Sequence, residues 1–238
     1  MRIRFKPWAR GELEASPFYV DNPQDYKNKW KSMYKNADKS FYLELGCGKG
    51  GFISQMALLH PEINFLAIDM VDAMLGLAKR KIEEAYGQAE KEVDNVILTR
   101  YDIERIDGIL GEEDKVERIY INFCNPWPRG KHHKKRLTHP KQLEKYRDFL
   151  VEEGEIYFKT DDTNLFENSV SYFQQAGFAI IKQTENLVEE KDFWENIQTE
   201  HERMFMEQGI TIKAIIAKKV EKRPLKECTL RGIFFYLV

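Results

Sequence analysis

The run Leu43-Glu44-Leu45-Gly46-Cys47-Gly48-Lys49-Gly50 constrains the fold more than any other stretch of the chain. It follows a short apolar segment, Phe41 to Leu45, and opens a stretch with helical spacing at Phe52, Ile53, Met56 and Ala57. Glycines at alternate positions allow backbone angles closed to other residues and let main-chain amides approach a ligand. A strand, a glycine turn and a helix in that order begin a βαβ unit. The alternation then continues. Ile63 to Ile68, closed by Asp69, reads as a second strand, and Met74, Leu77, Ala78, Ile82 and Ala85 share one helix face. Val96 to Leu98 begins a third strand ending near Asp102, and Val116 to Phe123 forms a fourth. A helix over 140–150, a strand over 155–159, a helix over 162–176 and a closing strand pair at 178–181 and 210–218 complete the pattern. This spacing predicts an α/β fold with a mainly parallel sheet of seven strands and helices on both faces.

The apolar content, 42% of 238 residues, allows one substantial domain. Residues 1–38 are polar and aromatic, with Pro7, Pro17 and Pro23, and read as an arm laid over the core, with a short helix at Tyr26 to Tyr34. Residues 39–220 form the domain, and 221–238 form a tail, basic and then apolar, of no assigned purpose. No apolar run is long enough to span a bilayer and no signal peptide is visible, so a soluble cytoplasmic protein is expected. Three widely spaced cysteines, Cys47, Cys124 and Cys228, suggest neither a disulfide framework nor a zinc site.

Three successive strand ends carry acids. Glu44 lies two residues before the first glycine, where a carboxylate would repel a pyrophosphate but could receive the ammonium of an amino-acid-bearing ligand such as S-adenosylmethionine. Asp69 is placed for ribose hydroxyls and Asp102 for the exocyclic amine of adenine. A nicotinamide dinucleotide would use Asp69 and leave Glu44 unexplained. Either aspartate alone would read as a helix cap; the series of three favours a cofactor site with Gly46 and Gly48 at its base.

The fourth strand ends in Asn125-Pro126-Trp127-Pro128, followed by Arg129, Lys131, Lys134, Lys135 and Arg136 with His132 and His133 between them. Net charge is only −2, so a polyanion would meet local patches rather than a generally basic surface. This loop is one such patch, and Arg2, Arg4, Lys6 and Arg10 around Trp8 form another. A cationic run beside a strand-end site suits a nucleic acid. Adjacent histidines lack ligand spacing, so no metal is expected. Trp127 can stack on a base or anchor the loop by packing.

These motifs bring the chain into resemblance with the tRNA (guanine-N7-)-methyltransferases, from Lys6-Pro-Trp-Ala9 to about Val220. The most specific element is Pro126-Trp-Pro-Arg129 with His132-His-Lys-Lys-Arg-Leu137; Lys159-Thr-Asp161 and Thr199-Glu-His-Glu202 match two further signatures. The resemblance implies a Rossmann-like class I methyltransferase fold, S-adenosylmethionine as cofactor and tRNA as partner, with transfer to N7 of a variable-loop guanine. The sequence itself shows no membrane segment and no obligatory protein partner, and it leaves monomer and homodimer open. Carried over by motif, Glu44, Asp69, Asp102 and Asn125 would hold the cofactor. Arg129, Asp161, Thr199 and Glu202 would hold the substrate, and Lys131, Lys134, Lys135 and Arg136 would contact RNA. The family usually has Asp where this chain has Asn125, a position generally labelled catalytic. Guanine N7 carries no proton, so attack needs no general base, and Asn125 is expected to position rather than to deprotonate. Alone, Asp161 and Thr199-x-x-Glu202 would read as helix caps. The competing readings are a class I methyltransferase with another substrate, and an RNA-binding module that has lost catalysis through Asn125.

Overall fold

Side chains alternate between two apolar clusters along the central strands, and that alternation sets the layers of the molecule. In the strand Ile63–Asp69, Phe65 and Ala67 enter one cluster while Leu66 and Ile68 enter the other, as a strand covered on both faces requires. The computed structural model of the protein describes residues 5–190 and 192–221. Its strands are β1 (Tyr19–Val20), β2 (Ser40–Leu45), β3 (Ile63–Asp69), β4 (Val96–Arg100), β5 (Val116–Asn122), β6 (Leu150–Thr160), β7 (Phe178–Thr184) and β8 (Lys213–Lys219). They form one sheet in the order β1-β4-β3-β2-β5-β6-β8-β7. All pairs from β1 to β6 are parallel, and β8 runs antiparallel between β6 and β7.

The sheet therefore has eight strands where seven are expected. The additional one is two residues of the N-terminal arm laid along β4, which occupies a strand edge that would otherwise present unpaired amides. The same arm supplies α1 (Pro7–Glu14), a helix absent from the sequence expectations. It crosses α3 (Asp72–Gln88) at Gly76, where an added Cβ would lie 2.9 Å from Ala9. On α3, Leu75, Ala78, Ile82 and Tyr86 are buried, while Met74, Leu77 and Ala85 of the expected stripe are only partly so. The short helix expected at 26–34 is instead two 3-10 turns, Pro23–Tyr26 and Trp30–Met33. Asp114 causes this by accepting the main-chain N–H groups of Asn28 and Trp30, holding buried Trp30 so that its indole donates to Ile109 O at 2.7 Å.

With α1 against α3, α2 (Ile53–Leu59) and α3 cover one face; α4 (Pro140–Phe149) and α5 (Thr163–Gln175) cover the other. A last helix, α6 (Glu200–Glu207), follows the β7 loop. The chain leaves β2 toward β3 on one side and returns to β5 on the other, so the strand order reverses between β2 and β5. Open α/β sheets place ligands outside the carboxyl ends of the strands at such a point.

Candidate active site

The glycine loop gains its shape from backbone angles. Gly46, Gly48 and Gly50 have φ of +80°, +53° and +76°. An added Cβ on Gly50 would sit 2.7 Å from Ala78 Cα, so this glycine also lets the loop touch α3. Gly48 N–H donates to Asp69 Oδ2 at 3.0 Å, and Val71 N–H to Oδ1 at 2.9 Å. Asp102 Oδ1 caps its following turn by accepting from Glu104 N–H at 3.0 Å. Asp102 thus does what a helix cap does, whereas Asp69 ties the glycine loop to the turn before α3 without capping that helix, and both line one cavity of about 510 Å³ with Glu44, Gly46 and Gly48. Asn125 lines the same cavity, so the six residues expected at the cofactor are brought together.

Glu44 is 2% exposed. Asn122 Nδ2 donates to its Oε1 at 3.1 Å, while Oε2 is buried with no hydrogen-bond partner. Burial pushes this carboxyl up to about 8, against the Asn122 hydrogen bond and the charge of Lys159, and Asp69 pushes the same way as burial. An orphaned carboxylate oxygen facing a cavity is the acceptor that an ammonium group needs. The donor set fits S-adenosylmethionine: an anion at the amino-acid end, a carboxylate one strand away and a third acid beyond it.

The opposite wall is the turn after β5. Phe123 and Trp127 adopt φ of +51° and +43°, left-handed angles that are strained for aromatic residues. The turn is held at each end. Phe123 N–H donates to Lys159 O at 2.9 Å, and Trp127 N–H donates to Asn125 Oδ1 at 3.0 Å. Asn125 is exposed on the cavity wall, so its carbonyl oxygen shapes the turn while its side chain stays beside the cavity.

Arg136 departs from expectation. It is 1% exposed, its Nε donates to Pro126 O at 2.7 Å and an Nη to Asn164 Oδ1 at 2.8 Å. It is a strut beneath the loop, not an RNA contact, because the strained turn leaves a carbonyl pointing inward that needs a donor. Arg129, Lys131, Lys134 and Lys135 are exposed, and none pairs with a carboxylate among the described residues. Lys135 Nζ lies 5.2 Å from the centre of the Trp127 ring, with His132 on the same indole at 5.8 Å. In the N-terminal patch, Arg10 is occupied by Glu14 and Asp21, and Arg80 covers Trp8 at 3.6 Å; Arg2 and Arg4 lie outside the described residues.

Of the remaining expected substrate residues, Thr199 lines the cavity and caps α6, its Oγ1 accepting from Glu202 N–H at 3.2 Å. Glu202 is fully buried, and its carboxylate accepts from Lys159 Nζ at 2.7 Å and Asn196 Nδ2 at 2.6 Å. It therefore faces inward, away from a ligand. Asp161, half-buried past the end of β6, has its carboxyl raised by burial, with Asp162 adding to that and Lys213 and His201 opposing it. Sequence reasoning missed Asn122, Lys159 and the cavity-lining Phe52, Phe123 and His201. Asn122 was signalled: it is the first polar side chain to end an apolar strand beside Glu44. Cys47 and Cys124 are free thiols on the cavity wall; Cys228 and the tail beyond Glu221 lie outside the described residues. Among the described residues no cluster of His, Cys, Asp and Glu is placed to hold a metal, and no helix is long and apolar enough to cross a membrane.

Known proteins share both the sequence family and the fold of this chain. A methyltransferase family model matches residues 38–215. A tRNA (guanine-N(7)-)-methyltransferase of Clostridium beijerinckii is 58% identical over 219 residues, covering 92% of this chain and 99% of that protein. Its counterpart in Acetivibrio thermocellus is 52% identical, covering 92% of this chain and all of the relative. Among solved structures, the 16S rRNA methyltransferase KamB superposes with a TM-score of 0.55 at 13% identity, covering 92% of this chain and 96% of KamB. At that identity the likeness is one of fold.

Proposed function

Because the chain belongs to the tRNA (guanine-N(7)-)-methyltransferase family, we propose that it transfers the methyl group of S-adenosylmethionine to N7 of a guanine in the tRNA variable loop. The observation that carries this reading is the cavity itself. A buried carboxylate oxygen of Glu44 without a partner lies on one wall, and the strained Asn125 turn under unpaired cations forms the other.

Bound S-adenosylmethionine would supply a methyl group on a sulfonium, which the N7 lone pair would take up while the C–S electron pair stays with sulfur. The chain's residues hold and orient. Glu44 receives the ammonium, Asp69 the ribose hydroxyls, Asp102 the adenine amine, and Asn125 fixes the turn beside the methyl group. No proton leaves N7, so the carbonyl of Asn125 suffices where a base would be idle. Asp161 accepts guanine N1–H and N2–H₂, donors that adenine lacks as a pair, which requires an unpaired or extruded base. Thr199 shapes the rim of the guanine site. Arg129, Lys131, Lys134 and Lys135 hold phosphates, so tRNA affinity falls steeply with salt. In this reading residues 39–220 are the catalytic domain and 1–38 an arm that braces it.

The test is methyl transfer from labelled S-adenosylmethionine to an unmodified tRNA transcript, followed by nucleoside analysis. N7-methylguanosine, lost when the variable-loop guanine is changed to adenine, is the expected result. Tight tRNA binding with no methyl transferred would make the chain a binding protein and overturn the proposal.

A further inference from the structure

The chemistry above makes no use of Lys159, yet this lysine is 1% exposed, and burying an ammonium is costly unless every donor finds an acceptor. Its Nζ has three: Asn196 Oδ1 at 2.8 Å, Ile197 O at 2.9 Å and Glu202 Oε2 at 2.7 Å. All three belong to the segment 196–202, whose Thr199, Glu200 and His201 lie on the cavity wall. The other side of Lys159 faces the cofactor half. Lys159 pairs across the sheet with Asn122, the residue that donates to Glu44. Its ammonium lies 5.6 Å from the ring centre of Phe123 and 6.0 Å from that of Phe52, both of which line the cavity.

We propose that Lys159 is a positioning residue for methyl transfer: a single buried ammonium ties the Asn196–Glu202 wall to the end of β6 and, from behind the cavity, sets a positive charge on the Glu44 side. The second half of this inference rests on Glu44 being the anchor of the cofactor. The groups around Glu44 support it. Asp69 and the Cys47 thiol near Glu44 carry no positive charge and Asn122 is neutral, whereas the Lys159 ammonium, one strand beyond Asn122, pulls the carboxyl toward its charged form against burial. Glu202 belongs to the same device. It neutralises Lys159 while its helix presents Thr199, which explains why a carboxylate expected at the substrate is turned inward.

Three variants test the inference: Lys159→Met, Lys159→Arg and the double variant Lys159→Met/Glu202→Gln, which leaves no unpaired buried charge if the single change fails to fold. The Glu44 carboxyl is titrated by carbon-13 NMR in the free protein, and S-adenosylhomocysteine affinity and tRNA kinetics are measured beside it. Removing the ammonium should move the Glu44 midpoint up by about one pH unit and weaken cofactor affinity near neutral pH about tenfold. Lys159→Arg should keep the midpoint near that of the wild type while raising KM for tRNA, because a guanidinium keeps the charge but not the three-acceptor geometry. A folded Lys159→Met or double variant with an unmoved Glu44 midpoint and unaltered tRNA kinetics would overturn the inference. Glu44→Gln separates the two readings. If it leaves cofactor affinity intact, the anchor fails and the inference with it; if it abolishes affinity while the midpoint ignores Lys159, the inference fails alone.

Discussion

Glu44, Asp69 and Asp102 stand at the ends of neighbouring parallel strands and reach no farther than the next strand or loop. Arg136, Lys159 and Glu202 instead reach Asn164 or one another as fully buried charges, from the interior. One half of the cavity is a set of strand ends around a glycine turn. The other is two loops held up by buried charges. The first depends on backbone shape, which few side chains can spoil; the second depends on particular side chains whose loss leaves polar groups orphaned. The cofactor half should accordingly be sensitive to changes at its glycines, and the substrate half to changes at residues that never touch substrate.

The largest effect is expected from Gly50→Ala. A Cβ at φ +76° and 2.7 Å from Ala78 Cα should cost about 3 kcal/mol or more and remove cofactor binding, read by denaturant midpoint and by calorimetry. Wild-type stability with intact binding would break the comparison at its strongest point.

Next comes pH. The Glu44 carboxyl is raised from 4.5 to about 8, so the folded chain holds a proton there that the unfolded chain has released. The stability this confers is fully present below about pH 4.5 and is lost as pH rises through 8, a change of a few kcal/mol. Thermal melts of the free protein should fall across that window, whereas saturating cofactor or Glu44→Gln should flatten the slope. An equally steep slope in Glu44→Gln would assign the effect elsewhere.

Arg136→Met should lower kcat/KM for tRNA about 10- to 100-fold, because Pro126 O and Asn164 lose a buried donor, while cofactor affinity stays unchanged. Equal losses on both sides would show that the halves are not separable. Smaller still, Lys131→Ala with Lys134→Ala should weaken tRNA binding a few-fold and reduce the slope of log affinity against log salt by about 2, with kcat untouched. The smallest change is expected from Asn125→Asp. Its carboxylate can still accept from Trp127 N–H, so turnover should stay within about tenfold of the wild type; recovery from zero would show that Asn125 disables the site.

Much of the fold was legible because period-two and helical apolar patterns follow directly from burial, although β6 begins at Leu150 rather than Glu155 and no span was expected for α6. The arm was not. Its helix α1 carries no strong periodicity of its own and exists because Gly76 admits it against α3, and β1 exists because β4 offers an edge. Within the site, Glu44, Asp69 and Asp102 were legible because a strand's end places its next side chain predictably. Arg136 and Glu202 were misjudged because a charged residue in a polar motif reads as exposed, and nothing local reveals an inward carbonyl or a buried lysine.

The amino-acid sequence by itself determined the alternating architecture, the glycine loop and the acids beside it, because apolar periodicity, glycine's backbone freedom and the place where a strand ends are all written locally. Only the tertiary structure decided which charges face solvent and which serve as struts, since that depends on partners supplied by distant segments. The four cations left on the loop surface and the ammonium buried beneath it have similar chemistry. Their different roles come from what the folded chain places around them.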